Sequence, residues 1–487
     1  MKKPLNYYES YNLPGDTLRQ RQLEWMIWYS GVPERIANYY DEFLNTFSPR
    51  GGSVNVKFWG NQNSELNNDF VHLPIAGDIA SVSANLLFSE PPEVAIEDDN
   101  ERFYETLKEN KFGERVIHAA EICAASGGVY LKTDINENES EYPIITIRYP
   151  DSAIPNFKQN GDLKSVVFHR VIHSEEKNYR LYEKRYIDAG LVVEFELKEL
   201  KDGKDSKTVN LNTIPETAGL KDALYPNYKN LGVQYIPNML PNKQFPKSHE
   251  GISDYATCIS LMDALDEAWT SWVNDVTLGQ GRVFVDENVL DMKDGKFKFD
   301  PYKRVIMNID MASANMGEGH KPIEVVQFAI RAEEHLKTCQ NLTEQIISLS
   351  GYSPQSFGIQ IQGRAESGTA LRIRERKSML TKQKKSRYWM YGLQEFLYQM
   401  QEIDVMSRLS TSYEAQRPSV SLADSIVKDP KEISETIRNL DQARAVSQYM
   451  KVKLWNEDWT DEQIEDEVTR IREDEATDIP DPFTQGA

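Results

Sequence analysis

The chain has 487 residues, 40% of them hydrophobic, with 18 Phe, 24 Tyr and 8 Trp, and its 56 Lys and Arg against 76 Asp and Glu give a net charge of −20. That aromatic content excludes a disordered or fibrous chain, and at roughly 100–200 residues per domain the length predicts about three structural units. The acidic total excludes a surface that clamps nucleic acid as a whole, because such clamps neutralise phosphates with net positive charge.

Thr17 to Asn45 reads as two helices, with Leu23, Met26, Ile27 and Trp28 before the Gly31-Val32-Pro33 break and Ile36, Tyr39, Tyr40 and Phe43 after it. A third amphipathic helix carries Ile79, Val82, Leu86 and Leu87 at near 3.6-residue spacing and stops at Glu90-Pro91-Pro92. One more is expected from about Asn100 to Ala125. From Gly127 the period changes to short β-branched and aromatic runs: Val129 and Leu131, then 144–149, 166–172, 179–186 and 191–197. They predict an antiparallel meander with an exposed charged tip at 198–207.

At Gly251 the pattern returns to helix, with Ile252, Tyr255, Ile259, Met262, Leu265, Trp269, Trp272 and Val276 at steps of three or four. Two strand-like runs, 282–286 and 303–309, follow Gly279 and Gly281, and a second long helix is expected from Ile323 to about Leu349. Gly351 to Gly368 is a polar, glycine-rich loop of about eighteen residues; connections this long are functional or disordered. A helix of about thirty residues, Thr369 to Gln401, is basic in its first half and aromatic in its second. Asp429 to Glu475 predicts two or three short acidic helices, with Thr460 and Gln463 in capping-box register, and the last dozen residues read as a loose tail.

The motifs of common enzymes are absent: no GxxxxGK[ST], HExxH or GxSxG occurs. Cys123, Cys258 and Cys339 are too dispersed for a zinc or disulfide framework and read as small apolar residues of a reducing compartment. His169 and His173 would lie about 13 Å apart on a strand, too far to share a metal. Asp134, Asn136 and Asn138 imitate the start of a calcium loop, but Glu139 and Ile145 occupy its glycine and glutamate positions. No cofactor or metal is expected. The two N-terminal Lys precede no apolar run, and the stretch Leu73 to Phe88 is broken by Asp78. Neither a secretion signal nor a membrane span is expected. The one charge feature above background is 364–387, where nine basic residues face Glu366 and Glu375, a local +7. Such a helix can be a solvated face, meet phosphates or pair with an acidic surface.

The order of these elements resembles the portal proteins of tailed bacteriophages, most closely those of long-tailed phages of Gram-positive bacteria. The resemblance rests on Gly127-Gly128-Val129-Tyr130-Leu131, the helix opening Gly251-Ile252-Ser253-Asp254-Tyr255, the insertion with Gly281-Arg282-Val283-Phe284-Val285, and the helix beginning near Ser367-Gly368-Thr369-Ala370. The acidic stretch Asp441 to Glu475, with Trp459-Thr460, completes it. It implies an α+β portal fold: wing 1–250, stem helix 251–276, β-containing clip 277–322, stem helix 323–350, tunnel loop 351–369, long wing helix 370–415, crown 416–476 and flexible tail 477–487.

It further implies a homo-oligomeric ring, typically of twelve copies, at one capsid vertex of the virion, assembled in the host cytoplasm, with double-stranded DNA passing through it. The expected partners are the terminase large subunit, the head-tail connector or adaptor, and the major capsid and scaffolding proteins. In this reading Gln355, Ser356, Phe357, Gln360, Gln362 and Arg364 face DNA from the tunnel loop. Arg372, Arg374, Arg376, Lys377, Lys384 and Lys385 make subunit contacts or lie near DNA, and Arg282, Asp286, Lys303 and Arg304 face the terminase from the clip. Amide side chains touch a phosphate backbone without trapping it, and an acidic bore repels DNA. Two other classes stay open on the residues: a DNA- or RNA-binding regulator using the basic helix 372–387, and an enzyme, for instance a carboxylate hydrolase, with no recognisable motif.

Overall fold

The structure is a computed structural model that describes residues 17–47, 58–59, 70–97, 100–136, 139–174, 177–201, 203–226, 228–279, 282–286, 307–309, 323–326, 330–359, 368–407, 413–422, 430–456 and 459–477. The chain divides into two compact units, one of residues 1–360 and 375–423, the other of 361–374 and 424–487.

The first unit opens with α1 (Leu18–Ser30) and α2 (Pro33–Phe47). Thr17 and Gln20 close a reciprocal capping box on α1, Gly31 ends it in the left-handed region, and Pro33 starts the next helix. Then come α3 (Ile75–Phe88), β1 (Glu93–Ala95), α4 (Glu101–Glu109) and α5 (Phe112–Ser126). The single helix expected over 100–125 is therefore two. The break is at Lys111, whose backbone is left-handed (φ 48°), and the buried Asn110 before it ties the turn to a distant segment: Oδ1 accepts from Ile145 N at 2.8 Å and Nδ2 donates to the Pro143 carbonyl at 2.7 Å.

The strands are β2 (Gly128–Asp134), β3 (Ile144–Arg148), β4 (Ala153–Phe157), β5 (Leu163–His173), β6 (Asn178–Ile187), β7 (Gly190–Lys201), β8 (Lys204–Val209), β9 (Ala223–Pro226) and β10 (Val233–Pro237). The meander is β4-β5-β6-β7-β8, with β9 added to β7, and the charged 198–207 tip is the β7–β8 hairpin. β2 and β3 depart from the expectation. They form a separate antiparallel sheet in the order β10-β2-β3, in which Tyr130 stands opposite Tyr235. β2 is buried along nearly its whole length, and its partner β10 lies far along the chain, a pairing that local periodicity does not reveal.

A buried four-charge network joins the two sheets. Lys132 Nζ reaches Glu183 Oε2 at 2.7 Å and Asp134 Oδ1 at 2.8 Å; Arg185 reaches Glu183 Oε1 at 2.7 Å and Asp134 Oδ1 at 2.6 Å. Burial alone would raise both carboxyls, but Arg185 and Lys132 outweigh it and hold them below the ordinary range. Asp134 is thereby occupied as an ion-pair partner.

The next helix, α6 (Ile259–Leu278), starts eight residues later than expected. The backbone of 251–258 is spent elsewhere: Asp254 N donates to the Ala124 carbonyl at 3.1 Å and Ile252 N to that of Met239 at 3.2 Å. A Cβ on Gly251 would stand 2.3 Å from the Gly127 carbonyl oxygen, so only glycine permits this approach. α6 gathers the preceding chain with its acids. Asp263 accepts from the backbone N–H groups of Phe58 and Trp59, each at 3.0 Å; Asp266 accepts from Trp59 Nε1 at 2.9 Å and Leu73 N at 2.9 Å and touches His72 Nδ1 at 2.7 Å.

β11 (Arg282–Asp286), β12 (Met307–Ile309) and β13 (Ile323–Val326) form a small sheet with β11 central, parallel to β12 and antiparallel to β13. Ile323 thus begins a strand, and the returning helix α7 (Ala332–Leu349) starts later. α6 and α7 pack as an antiparallel hairpin, and the paired strands β11 and β13 stand next to them in sequence, after α6 and before α7. Asp275 closes the hairpin, accepting from Arg331 Nη2 and meeting His335 Nε2, both at 2.9 Å, while Trp269 stacks on Trp272 and Trp272 on His335. The bonds from His335 and then Arg331 hold the Asp275 carboxyl below its usual range.

α8 (Gly368–Ser407) is 40 residues long, and β14 (Ser419–Ser421) pairs with β1. Two large cores result, one under α1, α3, α6 and α7, the other between α3, α5, β2 and α8, where Trp389, Leu393, Phe396 and Leu397 are buried. The second unit contains α9 (Pro430–Gln442), α10 (Gln448–Trp455) and α11 (Asp461–Thr477) around Val452, Ile464 and Val468. The Thr460 and Gln463 capping box is present, with Thr460 N donating to Gln463 Oε1 at 3.0 Å.

Asp266→Ala strands three buried polar groups and is expected to lower unfolding stability by about 3–5 kcal/mol; the exposed neighbour Glu267→Ala shifts it by less than about 0.5 kcal/mol, both read from urea midpoints. The depressed Asp134 and Glu183 carboxyls give stability that is complete above the unfolded carboxyl range and lost as pH falls through the folded values, from about pH 5 downward. Glu183→Gln is expected to be less stable at pH 7 and to lose stability less steeply in acid, as followed by thermal melts.

Candidate functional site

The expected long loop, the paired helices and the basic helix converge on one buried ionic knot. Lys385 of α8 is a core residue; its side chain and that of Asp254 are each 1% exposed. The ammonium donates to Asp254 Oδ2 at 2.6 Å, Ser83 Oγ at 2.7 Å and Tyr352 Oη at 3.0 Å, which uses all three of its protons. Tyr352 donates to the same Asp254 oxygen at 2.7 Å, and Asn238 Nδ2 donates to Asp254 Oδ1 at 2.8 Å. Burial, and then the Asp254 carboxylate, push the Tyr352 phenol well above its ordinary range, so it stays a donor. The knot ties α3, the approach to α6, the exit from α7 and α8 at one point.

The loop itself begins as built structure. Ser353 N donates to Ser378 Oγ at 2.9 Å, Ser356 Oγ meets the same hydroxyl at 2.8 Å, and Thr381 Oγ1 donates to the Gly351 carbonyl at 2.6 Å. Pro354–Phe357 is a 3₁₀ turn, and Phe357 packs against the α1, α6 and α7 core beside Tyr352. Of the expected DNA-facing residues, Gln355, Ser356 and Phe357 are therefore half-buried in this foot. Gln360, Gln362 and Arg364 lie outside the described residues.

Of the basic helix, Arg372 and Arg374 fall on described α8 backbone, and Arg376, Lys377 and Lys384 are exposed. Lys377 Nζ bonds the carbonyl and the hydroxyl of Ser348 at the end of α7, the latter at 3.0 Å. Lys384 Nζ donates to the Leu240 carbonyl at 2.8 Å. Lys385 corrects the expectation: it faces inward, because the buried Asp254 carboxylate there requires a counter-charge, and it is unavailable to a neighbour or to DNA. Arg282 and Asp286 occupy the two ends of β11, and Lys303 and Arg304 lie outside the described residues.

Asp254, Tyr352 and Ser83 were not singled out as functional in the sequence, although Asp254 and Tyr352 adjoin the glycines Gly251 and Gly351 that mark the two breaks. Cys123, Cys258 and Cys339 are buried, free thiols pushed up by burial. Among the described residues no group of three His, Cys, Asp or Glu could hold a metal, and no helix is long and apolar enough to cross a membrane.

The family model described as phage portal protein, SPP1 Gp6-like, matches residues 15–481. Among solved structures, a chain from the virion of a native gene transfer agent particle is 12% identical with a TM-score of 0.41, covering 79% of this chain and 90% of that one. A chain from the neck of such a particle, computed with C12 symmetry, is also 12% identical with a TM-score of 0.41, covering 85% and 92%. No curated protein matches.

Lys385→Met leaves the Asp254 carboxylate buried without its cation and is expected to cost about 3–5 kcal/mol. The double change Lys385→Met with Asp254→Asn is expected to cost less than the two single changes added, by at least about 1 kcal/mol. A urea-denaturation double-mutant cycle measures both.

Proposed function

Because this chain belongs to the SPP1 Gp6-like phage portal proteins and is thus a portal-type protein of the capsid vertex, we propose that it forms a ring, of about twelve copies by family analogy, through which the genome is packaged and ejected. The type is that of long-tailed phages of Gram-positive bacteria. In this reading the α6–α7 hairpin is the stem, and the β11-centred sheet is the clip that meets the terminase large subunit and later the connector. Residues 351–369 form the tunnel loop, the meander and α8 belong to the wing, and 416–476 is the crown. Double-stranded DNA occupies the bore, and capsid and scaffolding proteins surround the ring during assembly in the host cytoplasm. The family is structural, and no catalytic step is proposed.

The observation that carries the reading is a helical column: α6 and α7 packed antiparallel, next in sequence to the antiparallel pair β11 and β13, with the foot of the loop and α8 tied to the opposite end of the helices by the Lys385–Asp254–Tyr352 knot. A column of this kind transmits position between a docking sheet and a loop. Exposed Val273, Val276 and Leu336 on the hairpin leave apolar area for a neighbouring copy to cover.

The test separates foot from loop. Deleting Gln360–Arg364 while keeping the Pro354–Phe357 turn is expected to leave rings intact and to reduce DNA packaged into proheads by roughly tenfold or more, since only the bore-facing part is removed. Undiminished packaging would remove the loop assignment.

A further inference from the structure

A groove of about 930 Å³ lies between the β4–β5 turn, the approach to β10 and one face of α8. Lys158, Lys164, Lys229 and Arg387 line it, all exposed, beside Tyr388 and Tyr391. These four cations outnumber its two acids, Asp162 and Glu395, and Glu395 is paired with Arg417 at 2.9 Å. The groove is therefore a cationic, aromatic concavity on a chain of net charge −20.

The opposite side of α8 is apolar. Trp389, Leu393, Phe396 and Met400 enter the core that also holds Phe103 of α4; at about 100° per residue, Tyr391 and Glu395 lie roughly half a turn away from them. Beyond that core, α4 buries Phe103 and Thr106 and exposes Glu101, Glu105 and Glu109 on its other face, an i, i+4, i+8 stripe. Its basic residues are Lys108 and Arg102, and the Arg102 guanidinium is held by Asp404 at 2.6 Å. A cationic groove on one face of α8 and an anionic stripe on α4, whose Phe103 packs into the core on the other face of α8, are thus separate surfaces of one copy. Neither surface complements itself, but each copy carries both, which is the requirement of a head-to-tail contact that closes into a ring.

We propose that the groove lined by Lys158, Lys164 and Arg387 receives the Glu101–Glu105–Glu109 ridge of the next copy. The proposal rests on the ring reading above and assigns one of its interfaces. A ridge one helix wide matches a groove between a helix and a strand turn, and opposite charges fix the direction in which copies join.

The experiment uses two full-length variants, Lys158→Glu/Lys164→Glu/Arg387→Glu and Glu101→Lys/Glu105→Lys/Glu109→Lys, with mass photometry and negative-stain images at physiological salt and thermal melts as a fold control. Each alone is expected to lose ring formation by roughly tenfold or more. A chain carrying all six changes is expected to recover it, because every reversed groove then meets a reversed ridge, and so is an equimolar mixture, whose alternating copies make reversed and native contacts in turn. Rings from the groove variant alone at the wild-type level would overturn the interface, as would failure of both the mixture and the six-fold chain. Wild-type rings with loss of binding to a short DNA duplex would also overturn it, and would assign the groove to nucleic acid. Should the melts show a variant unfolded, Lys158→Gln/Lys164→Gln/Arg387→Gln is expected to raise the concentration needed for rings, and an unchanged concentration overturns the proposal. A wild-type chain that never forms rings removes the ring reading and this interface with it; wild-type rings with indifferent variants remove the interface alone.

Discussion

A buried lysine can be tolerated only if each of its protons finds an acceptor and its charge finds a counter-charge, and that demand organises the first unit. Lys385 meets it with Asp254, Ser83 and Tyr352, so that four separate stretches of chain, its own included, meet at one point. The geometry leaves little freedom. Asp254 must stay out of helix to present its carboxylate, so α6 begins only at Ile259; Tyr352 must follow α7 directly, so the helix ends at Leu349 and the chain turns at Gly351. α8 then lies where its lysine can reach both. The knot does not maximise stability, since an apolar core of the same volume would do as well or better. What it adds is position: the two helices, the foot of the loop and α8 share one set of coordinates.

Net charge is a poor guide to how this chain treats its acids. Asp254, Asp263 and Asp266 act inside the protein as acceptors for a lysine, backbone N–H groups, an indole and an imidazole. Asp134 and Glu183 hold the two sheets together against Lys132 and Arg185. The exposed acids are therefore a selected remainder, and on α4 they form an ordered stripe. The same holds for cations, where Lys382 and Lys385 of the basic helix are internal while their neighbours Lys377 and Lys384 cap carbonyls at the ends of other segments.

Local patterns carried much of the fold in the sequence. The helices α1 to α3, the meander, its charged hairpin tip and the Thr460 capping box follow from periodicity, proline and capping chemistry that act over a few residues. The departures share one cause, which is partners distant in sequence. The helix parts at Lys111 where Asn110 bonds to the start of β3, β2 leaves the meander to pair with β10, and residues 251–258 abandon a helical pattern because Ala124 and Met239 take their backbone groups. Ile323 joins β11 as a strand for the same reason. In the site, the long polar stretch was visible, but its first residues read as loop because Ser378 and Thr381, which anchor them, lie on a helix that composition marks only as basic. Lys385 was indistinguishable from Lys384 by residue type; a helical turn of 100° decides that one is solvated and the other is not.

If this portal-family chain works as proposed, it does so as a closed ring around a bore. Native mass measurement combined with end-on electron micrographs of the purified full-length protein decides whether such a ring forms. The expected result is a particle of several hundred kilodaltons, a whole multiple of the 56.0 kDa chain, with a central hole and rotational symmetry. A chain that remained monomeric or dimeric at high concentration, and in the presence of its scaffolding and capsid proteins, would contradict it.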